Sequence, residues 1–292
     1  MVYKPKLWRW LLATAFIFCA IAALVQGRHD PKFSRKAESS SKSLSKQIRE
    51  EIAQLKKHEW AGEYYEGDGL GVNVSLVMAP KHGYVFEWHG CLGLYDRNYG
   101  SVTATNGRLQ LSFTFTNKHE GFEGIASEFI PIRWGERKYL IPADDIIGFC
   151  NEVNSKSEPR NDVHGRCLLR KGDEKKKADG KPAVSVEFAP YLLETPVKAE
   201  IVKIESSSTH TNSYGWQVRE TEVTLDAGKD HGLLSGMELY VTSPDIVESV
   251  EVKTVSDRQS KGFIKQIDER DDIPSVGWKL SSLPRWRENH NR

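Results

Sequence analysis

Val72-Asn73-Val74-Ser75-Leu76-Val77-Met78, then Ala79-Pro80-Lys81-His82-Gly83, then Tyr84-Val85-Phe86-Glu87-Trp88-His89-Gly90-Cys91 reads as strand, turn and strand. Side chains on a strand alternate between two faces, so a period of two marks a half-buried antiparallel strand. In the second run Tyr84, Phe86 and Trp88 share one face, while Glu87, His89 and Cys91 share the other. One face is core and one is not. The pattern continues outward: Asp68-Gly69 and Asn106-Gly107 are turn pairs, and Leu109-Gln110-Leu111-Ser112-Phe113-Thr114-Phe115 alternates again. Phe129 to Trp134 and Arg137 to Pro142 read as two strands about Gly135. Ile146, Phe149 and Val153 then place a helix near 144–154, with Asp144 and Asp145 supplying negative charge at its first turn. A hairpin from Arg166-Cys167-Leu168-Leu169-Arg170 to Val184-Ser185-Val186-Glu187-Phe188 is expected to complete the domain, with Lys175 to Lys177 a solvated loop tip.

Beyond a boundary at Glu194-Thr195-Pro196 a second β segment begins. Val197 to Ile204 alternates as a strand, Ser206 to Gly215 reads as a polar mobile loop, and Glu222 to Val241 reads as strand, glycine turn and strand. Gly262 to Ile267 and Val276 to Leu280 supply closing strands. The fold class expected is therefore mainly β, with two small antiparallel barrel-like domains over 58–193 and 194–285. A hydrophobic N-terminal helix and a short amphipathic helix precede them.

The hydrophobic segment lies in residues 1–27. Lys4, Lys6 and Arg9 precede an apolar run from Leu11 to Val25, the layout of an export signal. Cleavage after Gly27, or near Ala20-Ile21-Ala22, makes it a signal peptide; retention of residues 8–25 makes it a membrane anchor, since Trp8 to Val25 approaches the length of a spanning helix. Both alternatives stay open. Membrane contact is expected only through residues 8–25, if uncleaved. Residues 28–57 follow as a polar linker, from His29 to about Lys42, and a helix over about Ser43–Lys57 whose stripe is Leu44, Ile48, Ile52 and Leu55. Such a helix is either a short stalk or a lid on the next domain. The lone stripe falls short of the three or four heptads of a coiled coil and favours the lid.

The 292 residues carry 41 Lys+Arg against 40 Asp+Glu, so there is no basic excess for a phosphate backbone and nucleic acid is not expected as a partner. With 39% hydrophobic and 28% charged residues the chain can build packed cores.

Three of the cysteines, Cys91, Cys150 and Cys167, lie beyond the export segment, and an oxidising compartment favours one bridge. Cys150 with Cys167 is the expected pair, because helix and following strand are near in sequence. Cys19 is one more apolar side chain of the hydrophobic run. A metal reading can use Glu87, His89 and Cys91, with His82, yet no second ligand cluster has recognisable spacing. Asp144 and Asp145 invite an acid/base reading, but adjacent helix positions do not face one another. Catalytic residues, metal ligands and cofactors are accordingly none, and ligand-binding residues are not assigned. His231 reads as a solvated turn residue.

Two resemblances add to this. Trp60-Ala61-Gly62-Glu63-Tyr64, the aromatic strand, a Gly-rich turn at Gly93 to Gly100 and Asn106-Gly107-Arg108-Leu109-Gln110-Leu111 resemble the opening meander of lipocalin-like β-barrel domains. That resemblance implies a small barrel that encloses a small apolar ligand or simply closes its own edges. The string Glu222 to Val241, with Asp226-Ala227-Gly228-Lys229-Asp230-His231-Gly232-Leu233-Leu234-Ser235-Gly236-Met237 at its centre, is similar to the small β-domain of rod-shape-determining and flagellar-assembly envelope proteins. This implies an SH3-like or six-stranded barrel used for assembly contacts in bacteria, though the long stalk helix of the rod-shape family is missing. A bacterial source leaves Asn73-Val74-Ser75 without a role as a glycosylation acceptor. Two function classes remain. The first is an exported, non-catalytic binding or assembly protein of the cell envelope, periplasmic or extracellular, with an envelope protein or small apolar ligand as partner. The alternative is a hydrolase or metal-dependent enzyme using His89/Cys91 or Asp144/Asp145.

Overall fold

The computed structural model describes residues 30–67, 72–119, 122–157, 167–212, 215–267 and 272–288. The apolar run of residues 8–25 and the Asp68-Gly69 turn lie outside them. No helix among the described residues is long and apolar enough to cross a membrane.

The strands are β1 (Gly62–Gly67), β2 (Val72–Ala79), β3 (Gly83–Gly90), β4 (Gly93–Thr105), β5 (Arg108–Phe113), β6 (Lys118–His119), β7 (Phe122–Glu123), β8 (Glu128–Trp134), β9 (Arg137–Pro142), β10 (Leu168–Arg170), β11 (Lys198–Thr211), β12 (Gln217–Leu225), β13 (Glu238–Ser243), β14 (Ser249–Val255), β15 (Ser260–Ile267) and β16 (Lys279–Ser281). Helix α1 is Arg35–Leu55 and α2 is Ile146–Asn154. The chain is mainly β. One sheet closes in the order β1-β10-β9-β8-β5-β4-β3-β2, an eight-stranded antiparallel barrel. A second closes as β11-β12-β15-β14-β13-β16, and β6 with β7 forms a two-stranded ribbon. Closure removes exposed sheet edges, which otherwise template unwanted pairing. By contact the chain divides into two compact units, Met1–Glu128 and Phe129–Arg292.

In the first unit, Tyr64, Leu76, Met78, Tyr84, Phe86, Leu109 and Leu111 are buried on the inward faces of the strands. Tyr64 Oη donates to Trp60 O at 2.7 Å, so the aromatic opening of the barrel closes on itself. Helix α1 packs on the outer face of β2 and β3, which is why the outward Val77 and Val85 are only 5% and 4% exposed. It begins eight residues earlier than its apolar stripe suggests. Ser34 caps it by accepting from Ala37 N, and the buried positions of its first turns are small, Ala37 and Ser41, so the helix sits close without showing a large apolar face.

Gly93 to Gly100 is strand rather than turn. β3 and β4 pair from Tyr84↔Gly100 to Gly90↔Gly93, with an irregularity at Trp88/His89, so the turn shrinks to Cys91 and Leu92. Gly100 has a packing reason: a Cβ there would lie 1.8 Å from Ser112 O. At the next turn Asn106 and Gly107 take positive φ, 52° and 74°, as a tight hairpin demands.

In the second unit, β8, β9, α2 and β10 enclose Ile130, Ile132, Trp134, Tyr139, Ile141, Ile146, Phe149, Cys167 and Leu169. The hairpin expected between 166–170 and 184–188 does not form. β10 pairs with β9 through Leu168↔Leu140 and Leu169↔Tyr139, and the second arm is irregular beyond the single bridge Arg133↔Ala183. Its apolar positions do not share a face: Val184 and Phe188 pack on the core while Val186 is 90% exposed. The six-stranded barrel is filled by Ile201, Val223, Leu225, Leu233, Leu239, Val241, Val250, Val252, Ile264 and Leu280. Helix α2 also reaches this barrel. Asn151 Nδ2 donates to Gly236 O at 2.9 Å, and Glu238 N donates to Asn151 Oδ1 at 3.2 Å.

Candidate functional site

Three strands of the six-stranded barrel continue past its wall. β11 pairs with β16 only through Lys198, Ala199 and Glu200, whereas its pairing with β12 runs on from Ser206↔Glu222 to Thr211↔Gln217. β15 follows β12 as far as Val218↔Ile267. The result is a ribbon in the order β11-β12-β15. Sequence reading takes Ser206 to Gly215 for a mobile loop because its side chains are uniformly polar. Their partner is β12, and a strand whose side chains are exposed on both faces needs no apolar alternation.

The ribbon is fastened where it leaves the barrel. Register shifts at Ile201/Lys203 and Ile204/Ser206 bend β11 there. On the same stretch Glu205 accepts from Lys203 Nζ at 2.5 Å on β11, from Thr224 Oγ1 at 2.8 Å on β12 and from Lys261 Nζ at 3.0 Å on β15. Hydrogen bonds from Lys203, Thr224 and Lys261 hold the Glu205 carboxyl down to about 2, and the same contact raises Lys261. Farther out, Ser207 Oγ meets Thr221 Oγ1 at 3.1 Å and Gln217 Nε2 donates to Thr211 Oγ1 at 2.8 Å. At the tip Asn212 N donates to Trp216 O at 2.9 Å, and Trp216 N donates to Asn212 Oδ1 at 3.0 Å. Trp216 is 58% and Ile267 39% exposed, and every residue from Ser206 to Thr211 is exposed. From Val202 onward the outer edge of β11 has no strand partner among the described residues.

The residues singled out from sequence are not gathered in one place. Glu87 accepts from Arg97 Nε at 2.8 Å and Ser41 Oγ at 3.0 Å beneath α1, and His89 Nε2 lies 3.4 Å from its other oxygen. Burial pushes the Glu87 carboxyl up, but the hydrogen bond and charge of Arg97, helped by Ser41 and His89, leave it below the ordinary carboxylate range. Cys91 is not on that strand face; it is exposed in the β3–β4 turn. His82 Nδ1 lies 2.7 Å from Glu51 Oε2, and that carboxylate also accepts from the backbone N–H of Lys81 and His82. No group of three or more His, Cys, Asp or Glu that could hold a metal ion occurs among the described residues.

Asp145 occupies the N-cap position of α2 and Asp144 is exposed beside it. Cys150, in α2, and Cys167, just before β10, are both buried. Burial pushes the Cys150 thiol up to about 12. His231 is exposed in a short turn, where its Nδ1 accepts from Gly228 N at 3.2 Å. Gly228 itself is required by close approach, since a Cβ there would lie 2.3 Å from Ser256 O.

Comparison with protein-family models, curated proteins and solved structures returns no match.

Proposed function

We propose that this chain is an exported, non-catalytic binding or assembly protein of the bacterial cell envelope, periplasmic or extracellular, and that β11, β12 and β15 are its assembly surface. The observation that carries this is the ribbon itself. A strand edge that outruns its barrel, has water on both faces and presents Trp216 at its tip adds nothing to a core. Yet Glu205 and two bulges hold it in a fixed direction. Exposed edges are usually blunted by charge, proline or closure, and from Ser206 to Thr211 neither Lys, Arg, Asp, Glu nor Pro occurs. The charged run and apolar stretch of residues 4–25 supply the export reading, and the resemblance of 222–241 to envelope assembly proteins agrees with it.

The test is a bacterial strain carrying the full chain fused at its C-terminus to a reporter active only outside the cytoplasm. Reporter activity that disappears when residues 8–25 are deleted supports export. Equal activity without them, or a chain confined to the cytoplasmic fraction, overturns it.

A further inference from the structure

We propose that the outer edge of β11 pairs with the same edge of a second copy of this chain, about a two-fold axis at Thr209; the proposal rests on the reading of the ribbon as an assembly surface and names its partner.

The first argument is where the backbone points. Asn212 N donates to Trp216 O, so the amide of residue 212 faces β12. Along an antiparallel strand the direction alternates, so residues 210 and 208 also face β12, and Ser207, Thr209 and Thr211 face outward. These outward groups are a row of donors and acceptors about 13 Å long, counted at about 3.3 Å per residue over four steps.

The second argument is register. In an antiparallel pair, outward residues must lie opposite outward residues, so a two-fold axis has to pass through a residue rather than between two. An axis at Thr209 sets Thr209 against its own copy and Ser207 against Thr211 of the second copy. All three outward residues are then used, giving about six backbone hydrogen bonds between chains. The regular stretch free of register shifts, Ser206 to Thr211, surrounds this axis.

The third argument is the side chains. The same register sets Ser208 against His210 of the second copy and Ser206 against Asn212. No charged residue meets a like charge anywhere along the pairing, and hydroxyl groups face one another, the kind of cross-strand pair that stabilises a sheet. Edges that must stay single carry a lysine or proline for the opposite reason. The contact is short, so the dimer is concentration-dependent.

The experiment measures the mass of the full chain, purified from the envelope of an expressing bacterium, by sedimentation over a range of concentrations. The expected result is a monomer–dimer equilibrium. Thr209→Pro removes one outward N–H and leaves the ladder to β12 intact, and it should abolish the dimer. Ser208→Lys with His210→Lys sets like charges across the axis and should raise the dissociation constant at least about tenfold. Ser208→Lys with His210→Glu differs from it by one side chain, restores opposite charges and should recover the dimer. In a Cys91→Ser background, Thr209→Cys should cross-link to itself, because hydrogen-bonded antiparallel partners lie about 5.5 Å apart at Cα. A monomer at every concentration overturns the proposal, as does a dimer indifferent to Thr209→Pro, or a Lys/Glu variant as dissociated as the Lys/Lys one. Export is read separately by the reporter fusion, so a monomeric chain that is still exported condemns the dimer alone.

Discussion

Lys32 Nζ lies 2.8 Å from Asp96 Oδ1, and the two side chains are 1% and 0% exposed. The lysine belongs to a short turn at Pro31–Phe33 just before α1, and the aspartate points inward from β4. The ammonium also donates to Thr116 O at 3.1 Å, while Asp96 Oδ1 accepts from Arg97 N at 2.8 Å. Asn98, two residues on, accepts from the backbone N–H of Tyr99, Thr114 and Phe115 and donates to Phe115 O. The chain entering α1 and the chain leaving β5 are thus pinned to the same inward face of β4.

Removing one member of a buried pair strands the other charge, which typically costs about 3–5 kcal/mol. Lys32→Ala should therefore lower the denaturation free energy by that order, and Asp96→Ala likewise. Replacing both, Lys32→Met with Asp96→Leu, should cost less than either single change. Urea unfolding of the four proteins checks this; equal losses in all three variants would show that packing, not charge, is at stake.

Glu51 ties α1 to the β2–β3 turn by accepting from Lys81 N at 2.9 Å, His82 N at 3.0 Å and the His82 ring. Burial raises its carboxyl, but the hydrogen bonds from Lys81 and His82 outweigh that and leave it below the ordinary range. Glu87 is lowered in the same net sense by Arg97. A carboxyl whose folded pKa is depressed adds stability that is fully present above its unfolded value, about 4.3, and is lost as pH falls through the folded value. The melting temperature should therefore drop below about pH 5, and the drop should shrink in Glu51→Gln with Glu87→Gln. A profile of the double variant that parallels the parent would count against both carboxylates.

Cysteine accessibility separates the three thiols beyond residue 27. Cys91 sits exposed in the β3–β4 turn, while Cys150 and Cys167 are buried and the Cys150 thiol is pushed up to about 12. Since the thiolate is the reacting species, maleimide at neutral pH should label Cys91 in the native protein and leave Cys150 untouched. The expected Cys150–Cys167 bridge is read by mass spectrometry of the full chain without reductant. A linked peptide containing both supports it, and an alkylated Cys150 after unfolding without reductant refutes it.

The alternation of 72–78 and 84–90, the Asn106-Gly107 turn and the two strands about Gly135 are legible because core and solvent impose a period of two on the residues. Helix α2 is legible through Ile146 and Phe149. What is hidden depends on partners distant in sequence. β4 contains Gly93 and Gly100, which look like turn residues until β5 brings the Ser112 carbonyl against Gly100. The start of α1 is masked by Lys32, a charge that looks solvated until Asp96 meets it. The ribbon is masked by six consecutive polar residues whose pairing with β12 uses backbone and hydroxyl groups, with no apolar alternation. β14 is absent from the expected strands although Val250 and Val252 alternate with Glu251 and Lys253; no glycine between Gly236 and Gly262 punctuates it.

Asn151 carries a prediction for the six-stranded barrel. Its amide is 9% exposed and satisfies both Gly236 O and Glu238 N, so Asn151→Ala leaves a buried donor and acceptor without partners. The loss should be about 1–3 kcal/mol. Gly236→Ala should also destabilise, since φ there is +87° and a Cβ would come 3.1 Å from Ile147 Cγ2. Thermal unfolding followed by near-ultraviolet dichroism measures both; unchanged melting in Asn151→Ala would mean the helix does not brace this barrel.

Glu205 decides whether the ribbon keeps its direction, and its titration is the most direct measurement of the clasp. Lys203, Thr224 and Lys261 donate from three different strands, and their hydrogen bonds hold the carboxyl at about 2. The unfolded value is about 4.3, so the folded value is depressed and the clasp's contribution is present above about pH 4.3, then lost as pH falls toward 2. A carboxyl-detected NMR titration should therefore place Glu205 well below every unpaired glutamate. Lys261→Ala should move its midpoint upward, and Lys203→Ala should do the same, because each removes a charged donor. The two lysines lie on different strands, so a shift in both variants means that β11 and β15 are joined through this one carboxylate. Salt should raise the midpoint as well, since both ammonium groups are partly exposed and their attraction is screened. A native midpoint near 4.3, indifferent to both lysines, would mean that the strands diverge and that the ribbon has no fixed direction in which to meet a partner.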